Sequence, residues 1–259
     1  MSATLALTAA MFKRYAIELK RYYFNTFSMM MSFYLIFVLV FYGARSFAGN
    51  EAGFGDTLAG IVVGFMVFYI VIYAYGELSW VLMAEASQGT LEQLSMSPLG
   101  LGRVLVVRIF AALVYRVGIM LAFLVLMMAT TGQWLRLDLV TLLPLLVFTI
   151  ASAQGLGFVM GGFALVFKQV QATLGILQFA FVGLLAAPID RLPWLKYLPL
   201  SWGNDLIRRA MIDGVSIFAV PAGDLLFLAA NGAVYFGLGF LGFKFFERQA
   251  RERGLLGHY

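Results

Sequence analysis

Residues 57–83 read TLAGIVVGFMVFYIVIYAYGELSWVLM, a long apolar run whose single charged side chain is Glu77. A helix needs roughly 20 mostly apolar residues to cross the hydrocarbon of a bilayer, so this stretch predicts a membrane span. Five more segments meet the same requirement, at about 27–44, 104–131, 139–167, 172–188 and 222–246. The expected fold is therefore an all-α integral membrane protein with six transmembrane helices. Composition agrees: of 259 residues 62% are hydrophobic and 12% charged, and the mean hydropathy is +0.91. An ordinary soluble domain carries roughly a quarter charged residues. Too few polar side chains exist here to clothe a soluble core, so lipid must clothe it.

Six spans place both termini on one side. Eleven of the 18 Lys and Arg residues lie in the N-terminal segment, the loop after span two, the loop after span four and the C-terminal tail, against six in the opposite loops. By the positive-inside rule both termini are cytoplasmic, which predicts a multi-pass protein of the cell membrane. The basic residues flank apolar runs and form no polar face, so the net charge of +5 gives no sign of nucleic-acid binding. No small-residue cleavage site follows the first apolar run, so it reads as a retained span. No repeat, low-complexity linker or charge run divides the chain, and residues 1–259 read as one transmembrane domain.

Ahead of span one, Phe12, Tyr15, Ala16, Leu19 and Tyr22 or Tyr23 recur at spacings of three and four, with Lys13, Arg14, Lys20 and Arg21 elsewhere on the wheel. This is the pattern of an amphipathic helix lying at the membrane surface. It either anchors the protein at the headgroups or moves with a functional cycle. After span two, residues 85–99 read EASQGTLEQLSMSPL. Thr90 and Gln93 fit a capping box, Leu91, Leu94 and Met96 supply apolar residues, and Pro98 stops the helix. A short helix with exposed leucines suits a partner's groove. The long loop before the last span, residues 192–214, is rich in Pro, Trp and Tyr and reads as short helices lying in or re-entering the outer leaflet.

Chemistry is scarce. Cysteine is absent and His258 is the lone histidine, so no thiolate or His-based metal site and no His relay can be built in one chain. None of the five Lys residues follows a Gly, so the chain lacks the phosphate-binding Gly-Lys-Ser/Thr loop and is not expected to hydrolyse ATP. Within the spans, Glu77, Arg108 and Arg116 could line a pathway or gate, or pair between helices, and Asp224 sits at the outer edge of span six, where water can reach it. Similar depth predicts a Glu77–Arg108 ion pair. Gly157 and Gly161, with Gly232, Gly237, Gly239 and Gly242, allow close helix contact within a subunit or between subunits. The aromatics around span one, Tyr22 to Phe37, could stack on a substrate or simply face lipid.

The loop after span two resembles the permeases of the type-2 ATP-binding cassette exporters. Members carry a Glu, a short gap, Gly-Thr-Leu-Glu and then Ser-Pro, matched here by Glu85, Gly89, Thr90, Leu91, Glu92, Ser97 and Pro98. Gly155, Gly157, Gly161, Lys168, Gln169, Pro188, Leu192, Pro193, Pro199 and Arg208 occupy further family positions, so that the likeness covers nearly the whole chain. One departure is the family's Pro-Leu-Thr-Tyr, which reads Pro199, Leu200, Ser201 and Trp202 here.

The resemblance implies a coupling helix at about 85–98 that docks through Glu85, Gly89, Thr90, Leu91, Glu92, Leu94, Met96 and Pro98. It also implies two ATP-binding cassette subunits that hold ATP and Mg, and a second permease subunit, identical or sister. No cofactor is expected in this chain itself. A sensor permease that signals through its partner, or an ion-coupled secondary carrier, is the alternative reading.

Overall fold

In the computed structural model the chain is described over residues 3–48, 54–91, 93, 96, 99–167, 169–186, 189 and 191–253. Those residues hold eight α-helices: α1 Ala3–Arg21, α2 Tyr23–Ala48, α3 Phe54–Ser87, α4 Leu101–Thr131, α5 Leu139–Phe167, α6 Gln171–Leu185, α7 Ser201–Ile212 and α8 Ala222–Glu252. A 3-10 turn, Pro193–Tyr197, precedes α7. No strand occurs among the described residues. The sequence favours helix because a backbone in hydrocarbon must satisfy its own polar groups, and a helix does so within one segment.

Five helices are long and apolar enough to cross a membrane: α2, α3, α4, α5 and α8. The segment expected as a fifth span at 172–188 is shorter, a 15-residue helix. At 1.5 Å per residue it reaches about 22 Å, less than the roughly 30 Å hydrocarbon core. Its start is set by the non-helical Val170 and its end by Ala186; Lys168 and Pro188 lie outside the described residues.

Helix α5 is the hub, packed along α3 on one face and α8 on another. Glycine makes both contacts possible. A Cβ on Gly155 would land on the Tyr235 carbonyl of α8, and one on Gly239 would land on the Gly155 carbonyl. On the other face a Cβ on Gly157 would sit 2.6 Å from the Tyr75 carbonyl of α3, and one on Gly161 would strike Leu78. Gly157, Gly161, Gly232 and Gly239 thus pack within the chain, whereas Gly237 faces open space.

An aromatic cluster attaches α2. Phe33 lies 5.4 Å from Tyr69 and 5.6 Å from Phe123, ring centre to ring centre, so one side chain of α2 engages α3 and α4 together. Most of the rest of α2 is exposed, including Leu35, Ile36 and Leu39.

The segment before the last helix folds inward. In α7, Gly203, Leu206, Ile207, Ala210 and Met211 are buried, and the helix packs on α5 and α3. Its entry is fixed by Leu200, which has φ of 72°, an uncommon conformation for a residue with a Cβ. Burial of its side chain and donation from its N–H to Ser152 Oγ at 3.1 Å hold it there. Asn204 Nδ2 donates to the Leu185 carbonyl at 2.9 Å, tying α7 to the end of α6.

Gly155→Ala and Gly239→Ala each force a methyl into a backbone carbonyl, and overpacking of this kind costs about 1–3 kcal/mol. Both are expected to lower the melting temperature of the detergent-purified protein. Gly237→Ala, with nothing within 4 Å of its new Cβ, is expected to leave it unchanged or raise it.

Candidate functional site

The charged side chains of α3 and α4 form a ladder. The two helices run antiparallel, so eight residues forward on α3, from Glu77 to Glu85, match eight residues back on α4, from Arg116 to Arg108. Arg108 Nη1 donates to Glu85 Oε1 at 2.6 Å, and Arg116 Nη2 stands 4.0 Å from Glu77 Oε2. The expected Glu77–Arg108 pair is therefore not formed. Helix α3 continues four residues beyond the predicted span end at 83, and the resulting register brings Arg108 opposite Glu85 instead.

The two rungs differ in strength. Arg108 and Glu85 are largely buried, with 10% and 16% of their side chains exposed, and meet at close range. Arg116 is only loosely paired with Glu77, but its guanidinium lies 3.9 Å from the centre of the Tyr73 ring and 5.6 Å from that of Tyr115. A guanidinium over an aromatic face is attracted by the ring quadrupole, so Arg116 keeps a second source of stabilisation.

Helix α1 meets this ladder through Tyr15. Tyr15 is 8% exposed and its hydroxyl donates to Glu77 Oε1 at 3.3 Å. Its ring stacks on Tyr115 and packs against Ala111 and Ala112, whose small side chains let α1 approach. Burial, reinforced by the negative Glu77, pushes the Tyr15 hydroxyl up to about 12, so it stays a protonated donor through the neutral range. Lys13, Arg14, Lys20 and Arg21 are all exposed. Arg14 is raised by its 2.8 Å bond to Glu18. Phe12, Leu19, Tyr22 and Tyr23 are also exposed, so of the apolar face expected of α1 Tyr15 is the residue that is buried, with Met11 packed beside it.

Glu85 does a second job. Thr90 Oγ1 donates to Glu85 Oε2 at 2.6 Å, so one carboxylate holds both α4 and the loop that follows α3. The backbone explains the spacing of the motif. Thr90 N–H donates to the Glu85 carbonyl and Gly89 N–H to the Ala86 carbonyl, the paired bonds of a Schellman cap. Gly89 sits at φ of 70°, the left-handed position such a cap requires and that glycine adopts without penalty. The Glu, gap, Gly-Thr sequence is thus the C-terminus of α3, and the Thr90 hydroxyl that suggested a capping box on Gln93 is donated back to Glu85.

Leu91, expected as an exposed docking residue, is 1% exposed and belongs to the main hydrophobic core. It follows directly on the cap and is drawn inward by it. Met96, by contrast, is 70% exposed. Glu92, Leu94, Ser97 and Pro98 lie outside the described residues.

One further cluster escaped the sequence reading. Glu247 near the end of α8 is 5% exposed, and accepts from Lys244 at 2.9 Å and Arg251 at 2.7 Å. Lys244 Nζ lies against Gly102 at the start of α4. The i,i+3 and i,i+4 spacing of these charges was the available signal. Among the described residues no group of His, Cys, Asp or Glu has the arrangement to hold a metal ion.

Removing one member of a buried pair costs roughly 3–5 kcal/mol, because the other charge is left uncompensated. Glu85→Gln, which strands Arg108 and weakens the hold on Thr90, is expected to lower the melting temperature more than Glu77→Gln, which leaves Arg116 on the Tyr73 face. Equal shifts in a thermal denaturation series would contradict this ranking.

No curated protein matches the chain. The family model of the ABC-2 type transporters matches residues 2–212, from α1 through α7. With most of its 259 residues matched, the chain belongs to the ABC-2 type transporter family, as the membrane-embedded permease component of such a transporter.

Proposed function

We propose that this chain is the transmembrane subunit of an ATP-driven exporter. Two such subunits, identical or sister chains, form the substrate path. They dock on two separate ATP-binding subunits, where ATP and Mg are held. Both termini face the cytoplasm of the cell, and the loop after α3 is the docking element. The observation that carries this reading is the double grip of Glu85 on Arg108 and Thr90, which ties the start of the segment that carries the exposed Met96 to two long helices.

A displacement of that loop by a partner is passed to α3 and α4 through the Glu85 bonds, and onward to α1 through Glu77 and Tyr15. A conformational equilibrium shifts only if the partner's contacts differ between its states, and an ATP-driven closure of the partner supplies that difference. The basic residues of α1 and the Lys244, Arg248 and Arg251 group of α8 suit the cytoplasmic side. Glu92, Leu94 and Pro98 are proposed as docking residues beside Met96. Leu91 supports the loop from within the core.

Affinity purification of the tagged chain from its native membrane, with an ATPase assay of the eluate, is expected to recover a soluble subunit bearing a phosphate-binding loop. In the reconstituted complex, Met96→Asp is expected to reduce ATP-dependent transport at least tenfold with the permease still folded. Leu91→Asp buries a charge and is expected to abolish folding instead. Normal coupled transport by Met96→Asp, or recovery of the chain without any ATPase, would overturn the assignment.

A further inference from the structure

At the opposite end of α3 from Glu85, a cavity of about 290 Å³ opens between α2, α3, α6 and α7. Its walls are apolar, with Val40 from α2, Ile61, Phe65 and Phe68 from α3, and Val182 from α6. Its one charged lining residue is Arg208 of α7.

The arginine is admitted by a glycine. A Cβ on Gly60 would lie 3.0 Å from Arg208 Nη2 and 3.1 Å from its central guanidinium carbon, so a side chain at position 60 would press on it. Neighbouring Arg209 is bonded to Asp205 at 2.8 Å, whereas Arg208 makes no ion pair among the described residues. Gly60 and Phe68 are eight residues apart on one helix, which is about 12 Å of rise. The guanidinium therefore sits at one end of the cavity with about 12 Å of apolar wall beyond it.

We infer that this cavity binds an anionic amphiphile, a molecule with one carboxylate or phosphate group on an apolar body. The guanidinium presents a planar fork of donors matched to a carboxylate or phosphate, and the remaining wall offers no partner to a polar body. A cationic head would be repelled, and a neutral one would give the guanidinium no charged partner. The volume falls near the lower end of small-molecule sites, about 300 Å³. A packed helix, about 10–12 Å across with its side chains, does not fit. The site depends on the membrane placement of the chain and not on coupling to ATP, so binding and transport can fail separately.

The test is binding of dodecyl phosphate, with dodecanol and dodecyltrimethylammonium as neutral and cationic counterparts, to the full chain in phosphatidylcholine nanodiscs. Dodecyl phosphate is expected to bind at least tenfold more tightly than either counterpart. Arg208→Gln should remove that preference and Arg208→Lys should retain part of it. Gly64 lines the same cavity and a Cβ there meets nothing within 4 Å, so Gly64→Leu is expected to fill the space without strain and block all three probes.

Nanodiscs that include phosphatidylglycerol separate the two sources of such a ligand. Competition there identifies a membrane lipid as the occupant, and undiminished binding identifies a free amphiphile. Equal affinity for the three probes, or a preference unchanged in both Arg208→Gln and Gly64→Leu, would overturn the inference. So would crosslinking of Arg208 to a second copy of the chain in place of probe binding.

Discussion

Between helices in lipid there is no hydrophobic force of the kind that condenses a soluble core, because lipid tails are as apolar as leucine. Cohesion then rests on how closely backbones approach, and in this chain the closest approaches converge on α5. Gly155 and Gly239 bring α5 and α8 into direct main-chain contact, and Gly157 does the same for α5 and α3. The other helices are placed relative to that three-helix unit: α7 packs on α5 and α3, α2, α4 and α6 on α3, and α1 on α4. The glycines leave no latitude for a different register, and register decides which charges meet.

That dependence explains the charged ladder. With α3 and α4 fixed antiparallel, the carboxylates eight residues apart on one helix face the guanidinium groups eight residues apart on the other. Buried ion pairs contribute little net stability once desolvation is counted, so their value here is better measured by what they hold in place. Glu85 joins a helix, its neighbour and a loop through two oxygens of one carboxylate. Tyr15 joins a surface helix to the same ladder by a single hydroxyl.

The sequence carried the membrane character, the helical class and five of the spans, because apolar length is written directly into composition. It also carried the position of the loop after α3, through Gly89 and the residues around it. Tertiary register was not legible. Depth counted along separate segments favoured Glu77 with Arg108, and only the extension of α3 to Ser87 reversed the pairing. Leu91 was misplaced because an apolar residue beside a turn looks the same whether it turns out or in; the Schellman cap decides, and it turns on the backbone conformation at Gly89, which apolar spacing does not report. The residues that line the cavity at Arg208 come from four helices, and no pattern within one segment announces them.

Helix α3 has a mechanical consequence. It is one uninterrupted rod of 34 residues, about 51 Å long, with the Tyr75 carbonyl resting on Gly157 roughly two thirds of the way along. From that fulcrum Glu85 is about 15 Å away and Gly60 about 22 Å away along the axis. A tilt about the fulcrum moves the Gly60 end about one and a half times as far as the Glu85 end, and in the opposite direction. On the proposed coupling role of the loop, a rigid tilt about this contact would make α3 a geared lever, enlarging a small push on the loop at the Gly60 end.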